Sequence, residues 1–284
     1  MRAVLLHPDV IVVTSAVLQV NCVIVRGGDG TRPEDLDGPR HAGRSADLRK
    51  PEQPAETFVI DSLVLPDEID ALPSLIEQAR FPAPSGLLAT HGDWDHLLGR
   101  LAFPRVPLGC AESTAERLAA SPGEVQRQLR VFDEELMIER PRPLVLGSVQ
   151  ALPVPGRCGI GDRELELYPG AGHTPDGMII VARWAGVLTI GDHLSSIEIP
   201  TLNDGGEIDT YLATLERLRG LIPQAQHVVP GHGPVLNSDR ALTLLEEDAC
   251  YLRALAEHGV EAELPAGRRK VANRRWHSQN VRGS

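Results

Sequence analysis

Short β-branched runs and segments with helically spaced apolar residues follow one another along this chain in two groups. Residues 10–13 and 17–25 are rich in valine and isoleucine and are separated by Thr14-Ser15-Ala16, which predicts an N-terminal hairpin or meander. Residues 57–60 predict a strand ending on Asp61. A helix over 67–80 and a strand over 86–89 follow, then a strand over 106–110 and helices over 112–118 and 122–131, with Ser121 as a cap for the second. From 143 to 167 the pattern returns to strands punctuated by Pro and Gly, and 178–182 and 187–190 predict two more. Residues 208–221 carry Tyr211, Leu212, Leu215 and Leu218 at helical spacing; 227–229 predict a late strand and 241–258 a long helix. Two groups of strands, each followed by helices, predict an α/β fold of two sheets with helices packed outside. No linker separates the groups, so residues 1–284 are expected to form a single domain. A helix and tail at about 238–284 would close it.

One stretch breaks the pattern. Residues 27–56 are dense in Gly, Pro, Asp, Arg and Glu and offer almost nothing to bury, so they predict a long loop inserted between strands. Composition elsewhere is that of an ordinary globular protein, with 42% hydrophobic and 24% charged residues. The formal charge of −11 argues against nucleic acid or an anionic membrane as a partner. It leaves room for a small molecule, including an anionic one held by local cations; nothing in the chain specifies an assembly state. Cys22, Cys110, Cys158 and Cys250 form no CxxC pair, so neither a disulfide framework nor a cysteine zinc site is signalled. No run approaches the roughly twenty apolar residues of a membrane span, and the start lacks a cleavable leader pattern, so the expected location is cytoplasmic.

The chemistry concentrates in Thr90-His91-Gly92-Asp93-Trp94-Asp95-His96, placed between a predicted strand and the apolar Leu97-Leu98. Two imidazoles and two carboxylates in six residues cannot all be buried without a partner, because unpaired buried charge is costly. A bound cation satisfies them together, and two cations do so better, since Asp95 and His96 point in different directions. The bland alternative is an acidic helix start with Asp93 or Asp95 as a cap. Three further strand ends carry the same chemistry: His173 in Pro169-Gly170-Ala171-Gly172-His173-Thr174-Pro175-Asp176-Gly177, Asp192 in Gly191-Asp192-His193, and His232 in Pro230-Gly231-His232-Gly233. Singly each has a structural explanation; four such loops together point to a shared site.

The order Asp61, His91…Asp95-His96, His173, Asp192, Gly231-His232-Gly233 resembles the metallo-β-lactamase-fold hydrolase superfamily, up to about residue 235. The resemblance implies a four-layer αββα sandwich with a two-metal site at the sheet edges. Carried over, His91, Asp93 and His173 would hold one metal and Asp95, His96 and His232 the other. Asp192 would bridge them, and Asp61 would order the ligand loop. The family usually has histidine where this chain has Asp93, although the diiron flavoprotein branch has an acidic residue there. Zinc is the metal the family implies; the oxygen ligand raises iron or manganese as alternatives.

With two divalent cations, a water held between them loses its proton near neutral pH and becomes a nucleophile, which Asp95 would orient. The expected function is therefore metal-dependent hydrolysis of an ester, thioester, lactone or related small-molecule bond. The stretch around His173 is similar to the glyoxalase II and lactonase branches. Alternatives are an iron-bearing redox enzyme of the same fold, a phosphodiesterase or nuclease, and a non-catalytic binding protein. His193 is expected to support its neighbour Asp192. Arg268-Arg269-Lys270 and Arg274-Arg275-Trp276-His277 form a basic cluster, read first as a solvated tail. The alternative is a segment folded back so that His277 or an arginine meets an anionic substrate.

Overall fold

The computed structural model describes residues 1–28, 54–203 and 205–283. Most of the predicted insertion at 27–56, namely 29–53, lies outside the described residues.

The first sheet holds β1 (Arg2–His7), β2 (Val10–Thr14), β3 (Asn21–Gly27), β4 (Glu56–Ile60), β5 (Gly86–Leu88), β6 (Leu108–Ala111) and β7 (Val149–Leu152), side by side in chain order. Pairing is antiparallel from β1 to β4 and parallel from β4 to β7. The second sheet holds β8 (Gly156–Ile160), β9 (Arg163–Pro169), β10 (Met178–Ala182), β11 (Val187–Thr189) and β12 (His227–Val229), antiparallel except for the parallel β11–β12 pair.

Side-chain alternation sorts these strands into layers. Val10, Val12, Val23, Val25 and Ile60 of the first sheet pack against Leu165, Leu167, Met178 and Ile180 of the second. The opposite faces carry helices. Ile11, Val13, Ile24 and Val59 meet Ile69, Leu72 and Ile76 of α1 (Pro66–Gln78) and Val125 and Leu129 of α4 (Glu124–Leu136). Ile179, Val181, Leu188 and Val228 meet Tyr211, Leu215 and Leu218 of α5 (Ile208–Leu221) and Leu244, Leu245 and Leu252 of α6 (Ser238–His258). This is the expected αββα order. It explains why β2 reads as an unbroken buried run: both of its faces are covered. Pro66 at the first position of α1 and the acidic Asp67 and Glu68 in its first turn start that helix, and the Asn237 side chain caps α6 by accepting from the Arg240 amide.

Several local expectations are corrected, and one strand was not anticipated. Residues 17–20 are not part of a long strand: Leu18 and Gln19 adopt φ of 57° and 53°, a left-handed turn, and β3 begins at Asn21. β1 escaped prediction because it is an edge strand whose first four residues are exposed, and no buried face imposes an alternation on them. α3 (Glu112–Ala120) runs into Gly123, whose φ of 83° starts α4 at Glu124; Ser121 does not cap it. The ligand loop opens only a short 3-10 turn over Trp94–His96 and the single-turn α2 (Gly99–Ala102). The basic tail is solvated only in part: Arg269, Lys270, Arg274 and Arg275 are exposed, but the segment is not a free tail. It folds into α7 (Val271–Gly283), with Trp276 and Val281 against the α5–α6 core, and Arg268 is 1% exposed.

Candidate metal centre

The C-terminal ends of β4, β5, β9, β11 and β12 deliver Asp61, the 90–96 loop, His173, Asp192 and His232 to one edge of the sandwich. Among the described residues, the donor atoms of His91, His173 and Asp192 lie within 4.8 Å of one another, and so do those of Asp95, His96 and His232. Asp93 adjoins the first trio, with Oδ2 3.3 Å from His173 Nε2 and 3.8 Å from His91 Nε2. Asp192 stands between the two: Oδ2 is 3.4 Å from His173 Nε2 and 3.2 Å from His232 Nε2, and Oδ1 is 3.1 Å from His96 Nε2. The structure thus brings together all seven residues expected to ligate metal.

His277 it does not. That ring is buried against Tyr251, with Nδ1 3.0 Å from the Tyr251 hydroxyl and Nε2 3.1 Å from the Val260 carbonyl. Both nitrogens are taken up away from the cluster, which corrects the substrate-binding expectation.

Each imidazole is oriented from behind. His173 Nδ1–H donates to the Thr201 carbonyl (3.0 Å), and His232 Nδ1–H donates to the Leu18 carbonyl (3.0 Å), which the left-handed turn aims at it. Thr90 Oγ1 lies 3.1 Å from His91 Nδ1, and Asp61 Oδ2 lies 3.1 Å from His96 Nδ1. The Nε2 atoms are left facing the centre, the arrangement that imidazole ligands require. Asp61 also accepts from the Thr90 amide (2.7 Å) and hydroxyl (2.9 Å), so it orders the ligand loop as expected. His193 packs on the Tyr211 ring and donates through Nδ1 to the Ile190 carbonyl (2.9 Å); burial, first of all, pushes its pKa down to about 4, which keeps it neutral.

Two observations test whether these residues fit a metal. His91 Nε2, His96 Nε2 and Asp192 Oδ1 are buried and make no aligned hydrogen bond, although the last two stand 3.1 Å apart, a costly arrangement for a polar cluster with no cation to bind. The electrostatics agree. Burial alone would lower the imidazole pKa of His96 and His232, yet Asp192 and the neighbouring carboxylates override it and hold both well above the ordinary value. Burial likewise opposes ionisation of Asp93 and Asp192, but the surrounding histidines hold both carboxyls well below their usual range. The cluster thus favours ionised carboxylates with positive charge beside them, the balance a bound cation would also satisfy. The donor set suits divalent metal.

Several residues that sequence reasoning missed complete the surroundings. Arg117 of α3 forks between Asp93 Oδ1 and Asp176 Oδ1, both at 2.9 Å, and Asp176 Oδ2 accepts from the Gly92 amide (2.9 Å). Asn203 Nδ2 lies 3.4 Å from Asp93 Oδ2, and Glu198 Oε1 lies 3.7 Å from His232 Nδ1. Burial, chiefly, pushes the Glu198 carboxyl up to about 7. Asn21 donates to the carbonyls of Pro230 (2.8 Å) and Gly233 (2.7 Å), fixing the His232 loop. Gly231 is required by close approach: a Cβ there would stand 2.0 Å from Asp192 Oδ1 and 3.0 Å from His96 Cε1.

A sequence profile described as the Metallo-beta-lactamase superfamily matches residues 52–232, more than half of the chain. No curated protein sequence matches it. The fold resembles a metallo-beta-lactamase family protein, TTHA1429, from Thermus thermophilus, with a TM-score of 0.62 and 18% identity over 89% of this chain and 82% of that one. It also resembles a metallo-beta-lactamase from Pontibacter korlensis, with a TM-score of 0.53 and 18% identity over 86% and 98% of the two chains. The protein TTHA1623, solved in a di-iron-bound form, gives a TM-score of 0.53 and 18% identity over 81% and 96%. Likeness at this identity establishes the fold. Among the described residues, no helix is long and apolar enough to cross a membrane.

Proposed function

The chain belongs to the metallo-beta-lactamase superfamily, whose members are generally metal-dependent hydrolases, and on that premise we propose that it hydrolyses an ester, thioester, lactone or related small-molecule bond with two divalent metal ions. The observation that carries the proposal is the pair of adjoining donor groups, His91–His173–Asp192 and Asp95–His96–His232, each with its ligand atoms within 4.8 Å of one another. His91, Asp93 and His173 would hold one ion and Asp95, His96 and His232 the other, with Asp192 shared between them. When bound, such ions lower the pKa of a water and polarise the bond to be cleaved.

The chain's own residues do the rest. Asp95 Oδ2 stands 3.4 Å from His232 Nε2, and its second oxygen can orient the attacking water and carry its proton to the leaving group. Thr201 and Leu18 keep the Nε2 lone pairs of His173 and His232 directed inward by accepting from the opposite nitrogens. Asp93 in place of a histidine lowers the charge of the centre, and the Arg117 fork offsets part of that change. The family implies zinc; a carboxylate at position 93 and a fold neighbour that binds two irons favour testing iron and manganese beside it.

The deciding experiment is metal content per chain on protein purified without chelator, beside Asp93→His, with hydrolysis of thioesters, lactones and esters assayed before and after chelation. Close to two metals, lost together with hydrolysis, supports the proposal. One metal, rising to two only in Asp93→His, removes Asp93 from the ligand set. No metal in either protein sinks the reading.

A further inference from the structure

The 195–203 segment, which leads from Asp192 to α5, has no regular structure of its own. Its backbone polar groups are instead taken up by side chains from the far end of the chain. Arg268 Nη1 donates to the carbonyls of Ser195 (3.1 Å) and Glu198 (3.0 Å). Asn273 Nδ2 donates to the Ile197 carbonyl (3.1 Å). Asn280 clasps the segment with both ends of its amide: Nδ2 donates to the Pro200 carbonyl (2.8 Å) and Oδ1 accepts from the Leu202 amide (2.9 Å). These three side chains are buried, and the Arg268 guanidinium is anchored in turn by Asp248 (2.5 Å) and Glu247 (3.1 Å) of α6. Five backbone groups between 195 and 202 are thus fixed by residues 70 or more positions away.

The other side of the same segment touches the metal cluster. Thr201 presents its carbonyl (3.0 Å) and hydroxyl (2.8 Å) to His173 Nδ1. The Asn203 amide donates to the His173 carbonyl (2.7 Å), and its side chain lies 3.4 Å from both His173 Nε2 and Asp93 Oδ2. The other half of the centre is held mainly by Leu18 behind His232 and Asp61 behind His96, and the segment meets it through Glu198, whose Oε1 lies 3.7 Å from His232 Nδ1. Neither Leu18 nor Asp61 contacts α7 through any of these bonds.

We propose that Arg268, Asn273 and Asn280 are positioning residues for the metal centre, holding Thr201 and Asn203 on His173 and thereby setting chiefly the affinity of the His91–Asp93–His173 position. The inference rests on the two-metal reading. A ligand imidazole keeps its orientation only while the group behind it stays fixed, and loss of such partners typically weakens metal binding by about 10–100-fold. Asn280 acts one step further back, so the lower end applies.

The test uses the full chain stripped of metal and titrated with Co²⁺, whose absorption reports the ligand set, and with Zn²⁺ by calorimetry. Wild type is compared with Asn280→Ala, Asn273→Ala and His277→Phe; the last loses the bonds from His277 to Val260 and Tyr251, leaving the Tyr251 hydroxyl to Asn280 (3.1 Å) and every bond to the segment in place. The expected result is about tenfold weaker binding at one position in both asparagine variants, that position being the one Asp93→Ala abolishes. The second position and both positions of His277→Phe should match wild type. Equal weakening of both positions, unchanged binding, or the same loss in His277→Phe overturns the proposal. Amide hydrogen exchange on metal-free protein supplies a readout independent of metal: Asn280→Ala should speed exchange across 195–203 and at His173, and leave 90–96 unchanged. If wild type takes up no metal, the two-metal reading fails on its own evidence, and unchanged exchange then overturns the coupling separately.

Discussion

Replacing Arg117 by leucine should destabilise the metal-free protein and at the same time tighten its hold on metal. The guanidinium makes two ion pairs of 2.9 Å, one to Asp176 at 1% side-chain exposure and one to Asp93 at 14%, and is itself 19% exposed. Removing one partner of a fully buried pair costs about 3–5 kcal/mol. The partial exposure of Arg117 lets water recover some of that, so a loss of about 2–3 kcal/mol is expected. For a chain of this size that is a fall of roughly 5–10 °C in the melting temperature. Asp93 does not swing away, because His173 and Asn203 still hold its other oxygen. Its charge, no longer shared with a guanidinium, becomes fully available to a cation.

Binding at the His91–Asp93–His173 position should therefore tighten by about tenfold, or ~1.4 kcal/mol, which saturating metal returns as added stability. Thermal melts of wild type and Arg117→Leu, metal-free and with saturating Zn²⁺, measure both effects. The variant should melt lower without metal and gain about 3–5 °C more than wild type on loading. Arg117→Lys, which keeps the charge but not the fork, should fall between the two. An unchanged metal-free melting temperature, or a metal-induced gain no larger than that of wild type, refutes the reasoning.

Two further outcomes follow from the same structure. Gly231→Ala would drive a methyl into Asp192 Oδ1 and His96 Cε1, so bound metal should fall to half or less while the far-UV spectrum is retained; full metal content would show that the loop yields. Glu68 is buried yet its carboxyl lies below the usual range, because burial is outweighed by bonds from Ser15 (2.5 Å) and the Ala16 amide (2.8 Å) and by the Met1 ammonium. A lowered folded-state pKa contributes stability above the unfolded carboxyl value, and that stability is lost as pH falls through the folded one. Glu68→Gln should accordingly cost about 1–2 kcal/mol at neutral pH, with the gap to wild type closing below about pH 4. A gap that stays constant in melts from pH 7 to pH 3 would count against it.

How far the sequence could be read depended on where each residue finds its support. The layers were legible where strands are covered on both faces, so β2 to β6 and β10 to β12 announce themselves as apolar runs, whereas β7, β8 and β9 are partly exposed and more polar. β1 lacked that signal, and so did the turn at Leu18 and Gln19, where valine and leucine suggested a strand but the chain bends to serve His232. The seven clustered His and Asp residues were legible because each stands just past a strand end, in loops rich in Gly, His and Asp.

The two halves of the centre differ in this respect. His96 is backed by Asp61, itself a strand-end residue that the motif order exposes. The His91–Asp93–His173 half is completed by Arg117 from a helix face, Thr201 and Asn203 from an irregular segment, and Asn280 behind them. None of these carries a local pattern: an arginine on α3 reads as surface charge, and an asparagine in a basic tail reads as solvated. Their roles exist only once strands far apart in the chain have packed. Asp93 itself was legible as a departure from the family, but not the reason the fold tolerates it. A carboxylate there is one charge more negative than an imidazole, and Arg117 supplies the opposite charge within hydrogen-bonding distance. The departure and its compensation lie 24 residues apart and form one feature of the site.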